Sequence, residues 1–334
     1  MRSRWLVLAW LALAAGAASA GPALRTLRLA ADCKVAADDG CFGDLTSLGA
    51  WLFGVRKPSA AAPVTVEVGA GEFHGRLDCR GQGHVTFRGA SREAARLVGT
   101  VDEFPFATIR AEDCAALAFE HLTVVSPRSR TGRGKAVRWL GGGDSRWTDV
   151  ALRAEYVAWY DSSCPHGNAL PPLGSHRFSH VSIEAGALGF FSDCGAARLE
   201  DSEIGVERAP ATVLPTLARS LPRIVAGVKA GHRSDVELVR CRVEVDASAG
   251  ASVGQAIALA AGADGNSHPL GAGTIELRGG AVRVRAREGV PALAARADRF
   301  GYAGPHAARI RGHGVQLDAP ARAAGDGAID WSER

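Results

Sequence analysis

The stretch Val236 to Val245, VELVRCRVEV, constrains this chain more tightly than any other feature. Val236 and Leu238 alternate with polar neighbours, the phase slips by one across Val239-Arg240, and alternation resumes with Cys241, Val243 and Val245 inward. Period-two alternation means a strand with one buried face, and a single slip means a corner. The same shape can be laid over Leu117-Phe119 with Leu122-Val124, Trp147 with Val150-Leu152, and Phe178 with Val181-Ile183. It fits again at Leu199 with Ile204, Ile275-Leu277 with Val282-Val284, and Ile310 with Val315-Leu317. The large inward residues Phe119, Trp147, Phe178, Leu199, Leu238, Leu277 and Ile310 are spaced by 28, 31, 21, 39, 39 and 33 positions. A rung recurring at irregular spacing marks a solenoid whose loops vary while its core does not.

Parallel strands are normally covered by crossover helices, and no long helical pattern runs between these rungs. A coil that closes on itself buries the strands instead. The expected fold is therefore all-β, a single-stranded right-handed parallel β-helix with a short N-terminal capping helix. Asp44 followed by Leu45, Leu48, Trp51, Leu52 and Val55 reads as an N-cap and the apolar face of that helix, and Pro58 stops it. Its place is the open end of the solenoid, which would otherwise expose core and an unpaired strand edge. The expected boundaries are a leader over 1–20, a cap over 21–62, the β-helix over 63–318 and a tail over 319–334. In the leader, Arg2 and Arg4 precede an apolar run too short to span a bilayer, and Ala18-Ser19-Ala20 reads as a cleavage site. That predicts an exported protein, secreted or periplasmic, with no membrane span after cleavage.

Export permits disulfides among the seven cysteines. Cys33 and Cys41 flank a short loop. Cys164 and Cys194 end similar aromatic runs, WYDSSC and FFSDC, which on adjacent coils would lie within disulfide reach. Cys79 and Cys114 can pair in the same way, leaving Cys241 as a core thiol. No cysteine or histidine cluster has zinc spacing, and no metal or cofactor is implied. The formal charge of +4 falls to near +2 once Arg2 and Arg4 are removed, which gives no nucleic-acid footprint. Two modest basic clusters remain, Arg128-Arg130-Arg133-Lys135 and Lys229-His232-Arg233. Residues 205 to 224, with three prolines, read as an insertion able to wall a groove. His121, His180 and His313 fall at or beside the phase slip and read as turn residues.

Over roughly residues 62 to 245 the chain resembles the pectinesterase family of pectate-lyase-like β-helix proteins. Val64 to Val68 followed by Gly69-Ala-Gly-Glu-Phe73 is similar to that family's opening strand and turn. Lys135-Ala-Val-Arg-Trp139 sits where the family has QAVAL, and Glu155 to Ser163 sits at QDTLYDSSG. Ile183 through Phe190-Phe191 to Ile204 sits at IEGTVDFIFGNATAVFEDCEI. The resemblance implies a polysaccharide partner, pectin-like or another anionic glycan. The catalytic motifs are degenerate. The first glutamine falls on Lys135, the QD pair on Tyr156-Val157, the DFIFG aspartate on Gly189, and the arginine of LGRPW on Val228. An ester hydrolase without nucleophile, acid and oxyanion donors has no route over its barrier.

Three readings of the site stay open. In the first, Asp161 and Asp193 face one groove with Lys229, His232 and Arg233 and do displaced acid/base or nucleophilic work. Against this, Asp and Ser in such runs are ordinary turn residues. In the second, the outer surface binds carbohydrate without catalysis, through Lys135, Arg138, Trp159, Tyr160, Phe190, Phe191, His232 and Arg233. Only one member of each aromatic pair can point outward from a strand. The third, lyase chemistry with calcium, lacks an acidic cluster of enough oxygens.

Overall fold

The computed structural model describes residues 26–33, 40–100, 107–127, 134–162, 174–207, 224–249, 253–262, 273–297, 308–323 and 327–332. The expected leader, the arginines at 128, 130 and 133, and most of the 205–224 insertion lie outside these residues. Within them the chain winds as a right-handed parallel β-helix, as the alternation requires. One coil shows the pattern. Lys135–Leu140 lies on a nine-stranded sheet, Gly141 to Gly143 turn the chain, and Asp144–Ala154 crosses a larger sheet with a bend at Asp149. Val157–Ser162 then pairs in parallel with Lys135–Leu140 and closes the turn. The seventeen-stranded sheet thus forms two faces of the tube, joined at a corner, and the nine-stranded sheet forms the third.

The phase slip is a left-handed backbone residue repeated on successive coils from His121 onward. His121, Asp149, His180, Asp201, Arg240, Gly279 and Gly314 stack at this corner with φ between 48° and 67°. Such a conformation is costly for most side chains, and Asp, His and Gly are the types that tolerate it. The corner side chains then pair along the axis. His121 Nδ1 lies 2.9 Å from Asp149 Oδ2, and Arg240 donates two hydrogen bonds of 2.7 Å to Asp201. The Arg240 guanidinium, hydrogen-bonded to it, holds the Asp201 carboxyl below its ordinary range.

Inside the tube the large residues stack rung on rung. Phe87 and Phe119 lie 4.9 Å apart at 5°, and Phe119 and Trp147 lie 4.1 Å apart at 12°. Each such pair adds about 0.5–1.5 kcal/mol beyond the burial of its area. The expected rung order holds from Phe119 through Trp147, Phe178, Leu199 and Leu238 to Leu277, which occupy matching positions on successive strands. Ile310 departs from it. It pairs with Ile275, and Gly312 stands opposite Leu277. Trp331 then lies over Gly312, where any Cβ would run into its ring.

Both ends correct the expected boundaries. Thr26–Leu29 already pairs with Val64–Val68, inside the stretch read as cap. Ala321–Ala323 and Ala328–Ser332 extend both sheets through the stretch read as tail, because Ile329 and Trp331 keep the alternation and pack on the core. The capping helix is present. Asp44 Oδ1 accepts from Ser47 N at 2.8 Å, and the helix Leu45–Gly49 continues as a wider π-turn over Ala50–Arg56. That wider turn rotates the last residues. Leu45, Leu48, Leu52 and Phe53 are buried, whereas Val55, expected on the same face, is 70% exposed. The Cys33–Cys41 and Cys79–Cys114 disulfides form across Cα separations of 5.4 and 6.1 Å. Cys194 is disulfide-bonded, and its expected partner Cys164 lies outside the described residues. Cys241 is a buried free thiol, pushed up to about 11 by burial.

Candidate functional site

The outer face of the nine-stranded sheet gathers most of the candidate side chains. Seven of its strands, from Ala107–Glu112 to Ala292–Ala297, carry a bend. Lys135 pairs with Val157 and Val137 with Trp159, but Ala136 and Ala158 between them drop out of the ladder and are buried. The same position on later coils is Gly189, Gly227, Ala258 and Ala294, all of them small. Small residues are needed there. A Cβ on Gly189 would lie 2.6 Å from Cγ2 of Ile204 on the opposite wall. Beyond the bend, alternation sets the faces, so Arg138, Tyr160, Phe191 and Lys229 form one outward column at successive rungs.

This face puts cations over rings. The Lys135 ammonium sits 5.3 Å from the Tyr156 ring centre and 5.2 Å from that of Tyr160. Lys229 sits 5.0 Å from the Phe191 ring, and the Tyr160 and Phe191 rings are 5.0 Å apart. Aromatic faces beside ammonium groups suit a sugar ring that carries a carboxylate.

Trp159 and Phe190 point the other way and are corrected accordingly. Both are fully buried in the lumen, stacked 5.8 Å apart at 7°, because alternation sends the partner of each outward residue inside. The displaced acid pair is also corrected. Asp161 pairs with Ser192, whereas Asp193 pairs with Ser162, so the two acids are one position out of register and face opposite sides of the sheet. Asp161 is 0% exposed and accepts a 3.0 Å hydrogen bond from Ser192. No polymer outside the tube reaches it. Asp193 stays near the outer face, with Oδ1 2.8 Å from Nδ1 of His232. His232 is 1% exposed, which removes it as a direct sugar contact. Arg233 is exposed on the adjoining turn at φ 52°.

The positions aligned with the catalytic residues of pectinesterases are shaped against that chemistry. Val157 and Val228 are both 0% exposed, and Gly189 has no room for a side chain. Of the two candidate acids, Asp193 alone remains by the outer face. Among the described residues no group of three or more His, Cys, Asp or Glu could hold a metal ion.

One charged feature escaped the residue-by-residue reading. Arg146, Arg177 and Arg198 stand at matching positions on three successive strands of the larger sheet. Each immediately precedes an inward residue of the repeating rung, Trp147, Phe178 or Leu199, so the sequence overlay already aligned them.

No family model matches the chain, and no curated protein matches its sequence. Solved structures do. A pectin methylesterase in complex with hexasaccharide VII aligns over 89% of this chain and 80% of that chain, at 13% identity and a TM-score of 0.50. Pectin methylesterase PemA from Erwinia chrysanthemi aligns over 89% and 80%, at 12% identity and a TM-score of 0.47. The enzyme from carrot aligns over 92% and 81%, at 11% identity and a TM-score of 0.48. What this chain shares with the hexasaccharide-bound pectin methylesterase is the fold, a right-handed parallel β-helix.

Proposed function

We propose that this is an exported β-helix protein that binds or organises an anionic, pectin-like polysaccharide on the outer face of its nine-stranded sheet, without pectinesterase chemistry. The observation that carries the reading is the cluster on this face in which Lys135 lies over Tyr156 and Tyr160, and Lys229 over Phe191. The half-buried Tyr156 and Tyr160 supply stacking for the sugar ring, with Phe191, only 5% exposed, packed beside Tyr160 rather than offered to the ligand, and the ammonium groups favour uronate over neutral sugars. Against hydrolysis stand the sealed position of Asp161 and the buried valines at 157 and 228. The structurally similar pectin methylesterase was solved with a hexasaccharide bound, which supports a glycan of several residues as the ligand class.

The test is thermal unfolding with unesterified oligogalacturonate, alongside methanol or acetate release from esterified pectin. Binding to the native state alone raises the melting temperature by mass action. The expected result is a ligand-dependent rise that Lys135→Ala/Lys229→Ala removes, with no turnover. Turnover lost in Asp193→Ala would establish the alternative, an esterase built on Asp193 and His232. No shift with any oligogalacturonate and no turnover would leave a purely structural role.

A further inference from the structure

On the outer surface of the larger sheet, neighbouring rungs mostly match a cation with an anion. Arg88 lies between Glu67 and Glu120, Arg96 pairs with Glu72, and Arg153 pairs with Glu184. Register sets Glu203 beside Arg242, Glu244 beside Arg283 and Asp246 beside Arg285. Where Glu237 and Glu276 are neighbours, Arg278 bridges both. This order stabilises a parallel ladder, since like charges directly opposite one another oppose pairing.

The stack of Arg146, Arg177 and Arg198 breaks the order. Adjacent strands lie about 4.8 Å apart, so three exposed guanidinium stems rise from successive rungs at that pitch. Arg198 has two carboxylate partners, Glu200 and Glu237. Arg146 and Arg177 have no ion pair among the described residues. Three adjoining hollows of about 530, 460 and 410 Å³ run along this face, and Arg177 lines all of them. Thr148, Ser179 and Ser175 contribute hydroxyl groups to the same walls.

We infer that Arg146 and Arg177 form a second anion-binding site, which takes the carboxylates of a linear polyuronate lying along the axis of the tube. A guanidinium fork matches a carboxylate through two parallel hydrogen bonds, and the hydroxyl groups beside it suit sugar hydroxyls. Charge complementarity selects the ligand sign, and the repeat of one cation per rung favours a chain with regularly placed charges. Nucleic acid fits worse. The aromatic residues of these rungs, Trp147 and Phe178, point into the lumen and offer no surface for stacking bases. The choice of a uronate rests on the polysaccharide reading, whereas the unbalanced charge stands apart from it.

The experiment measures binding of unesterified oligogalacturonate to the full chain, to Arg146→Ser/Arg177→Ser and to Lys135→Ala/Lys229→Ala. The expected result is that each double variant weakens binding, the arginine pair by about tenfold or more, as loss of a charge-assisted contact predicts. Arg177→Glu supplies the control for folding. It restores alternation along Arg146, Glu and Arg198, so its melting temperature without ligand should rise while ligand binding falls. Binding lost only in the lysine variant would overturn the second site and leave the proposed function intact. No binding by the parent chain would overturn both. An arginine-dependent affinity for a single-stranded oligonucleotide that matches or exceeds that for the uronate would overturn the choice of ligand.

Discussion

Oδ2 of Asp161 lies 3.9 Å from Nε2 of His176, with both side chains sealed inside the tube. His176 Nδ1 is 2.9 Å from the Ser145 hydroxyl, which also accepts from the Trp147 indole at 2.8 Å. Trp139 and Trp159 meet the imidazole edge-on, at 4.9 and 5.0 Å. A polar knot in an apolar lumen is stabilising only while its members keep the right protonation.

Burial pushes the His176 imidazole down to about 3, so the folded state holds it neutral at ordinary pH. An unfolded histidine titrates near 6.5, and a lowered native value means that the unfolded state binds the proton first. Stability from this group is complete above about pH 6.5 and falls toward pH 3 by about 1.4 kcal/mol per unit. Denaturant melts between those limits should show a shallower pH slope for His176→Asn than for the parent. Equal slopes would show that His176 does not govern acid sensitivity.

Restoring an acid at the aligned catalytic position should not restore catalysis. In Gly189→Asp the new Cβ would meet Ile204 Cγ2 at 2.6 Å, and the carboxylate would enter an apolar lumen. Overpacking with an unpaired buried charge costs about 3 kcal/mol or more. The expected result is a large fall in denaturation midpoint with no ester hydrolysis. A stable, active variant would show that the bend can open outward.

The Cys79–Cys114 disulfide joins residues 35 apart in sequence. A link over that distance stabilises by about 2–4 kcal/mol, chiefly by restricting the unfolded chain. Cys114→Ser should lower stability by that amount in oxidising buffer. Adding reductant should then lower the parent more than the variant.

At the corner, backbone and side chain oppose each other. Arg240 sits at φ 52°, a conformation that costs a non-glycine residue about 1–3 kcal/mol, yet its side chain pairs with Asp201. Exposed ion pairs are worth about 0–1 kcal/mol, so Arg240→Gly should be neutral or stabilising. Arg240→Val keeps the strain, adds a branched side chain and loses the pair. It should be the least stable of the three by urea denaturation.

The rungs, the corner and the helical N-cap were legible because each is a local pattern repeated in a fixed geometry. Val239-Arg240 marked the slip, and Arg240 is indeed the left-handed residue. The cysteine runs misled on one point. Asp161 stands two residues after Trp159 and Asp193 three after Phe190, so the 31-residue step from Trp159 to Phe190 carries Asp161 onto Ser192. A one-residue difference in place along the strand therefore puts the two acids on opposite faces of the sheet. Val55 was beyond reach for another reason, since a helix that widens to a π-turn changes its own period. The shift of Ile310 was equally hidden, because only contact with Trp331 shows that Gly312 occupies that column.

The corner stack of His121, Asp149, His180, Asp201 and Arg240 also acts as a vernier. Moving one coil sideways by a single residue would carry a β-branched or bulky neighbour, Val150, Val181 or Val239 among them, into the left-handed position. It would also part Asp149 from His121 and Asp201 from Arg240. Mispairing of coils during folding is thus penalised twice at one point, and the column keeps the register of loops whose lengths differ.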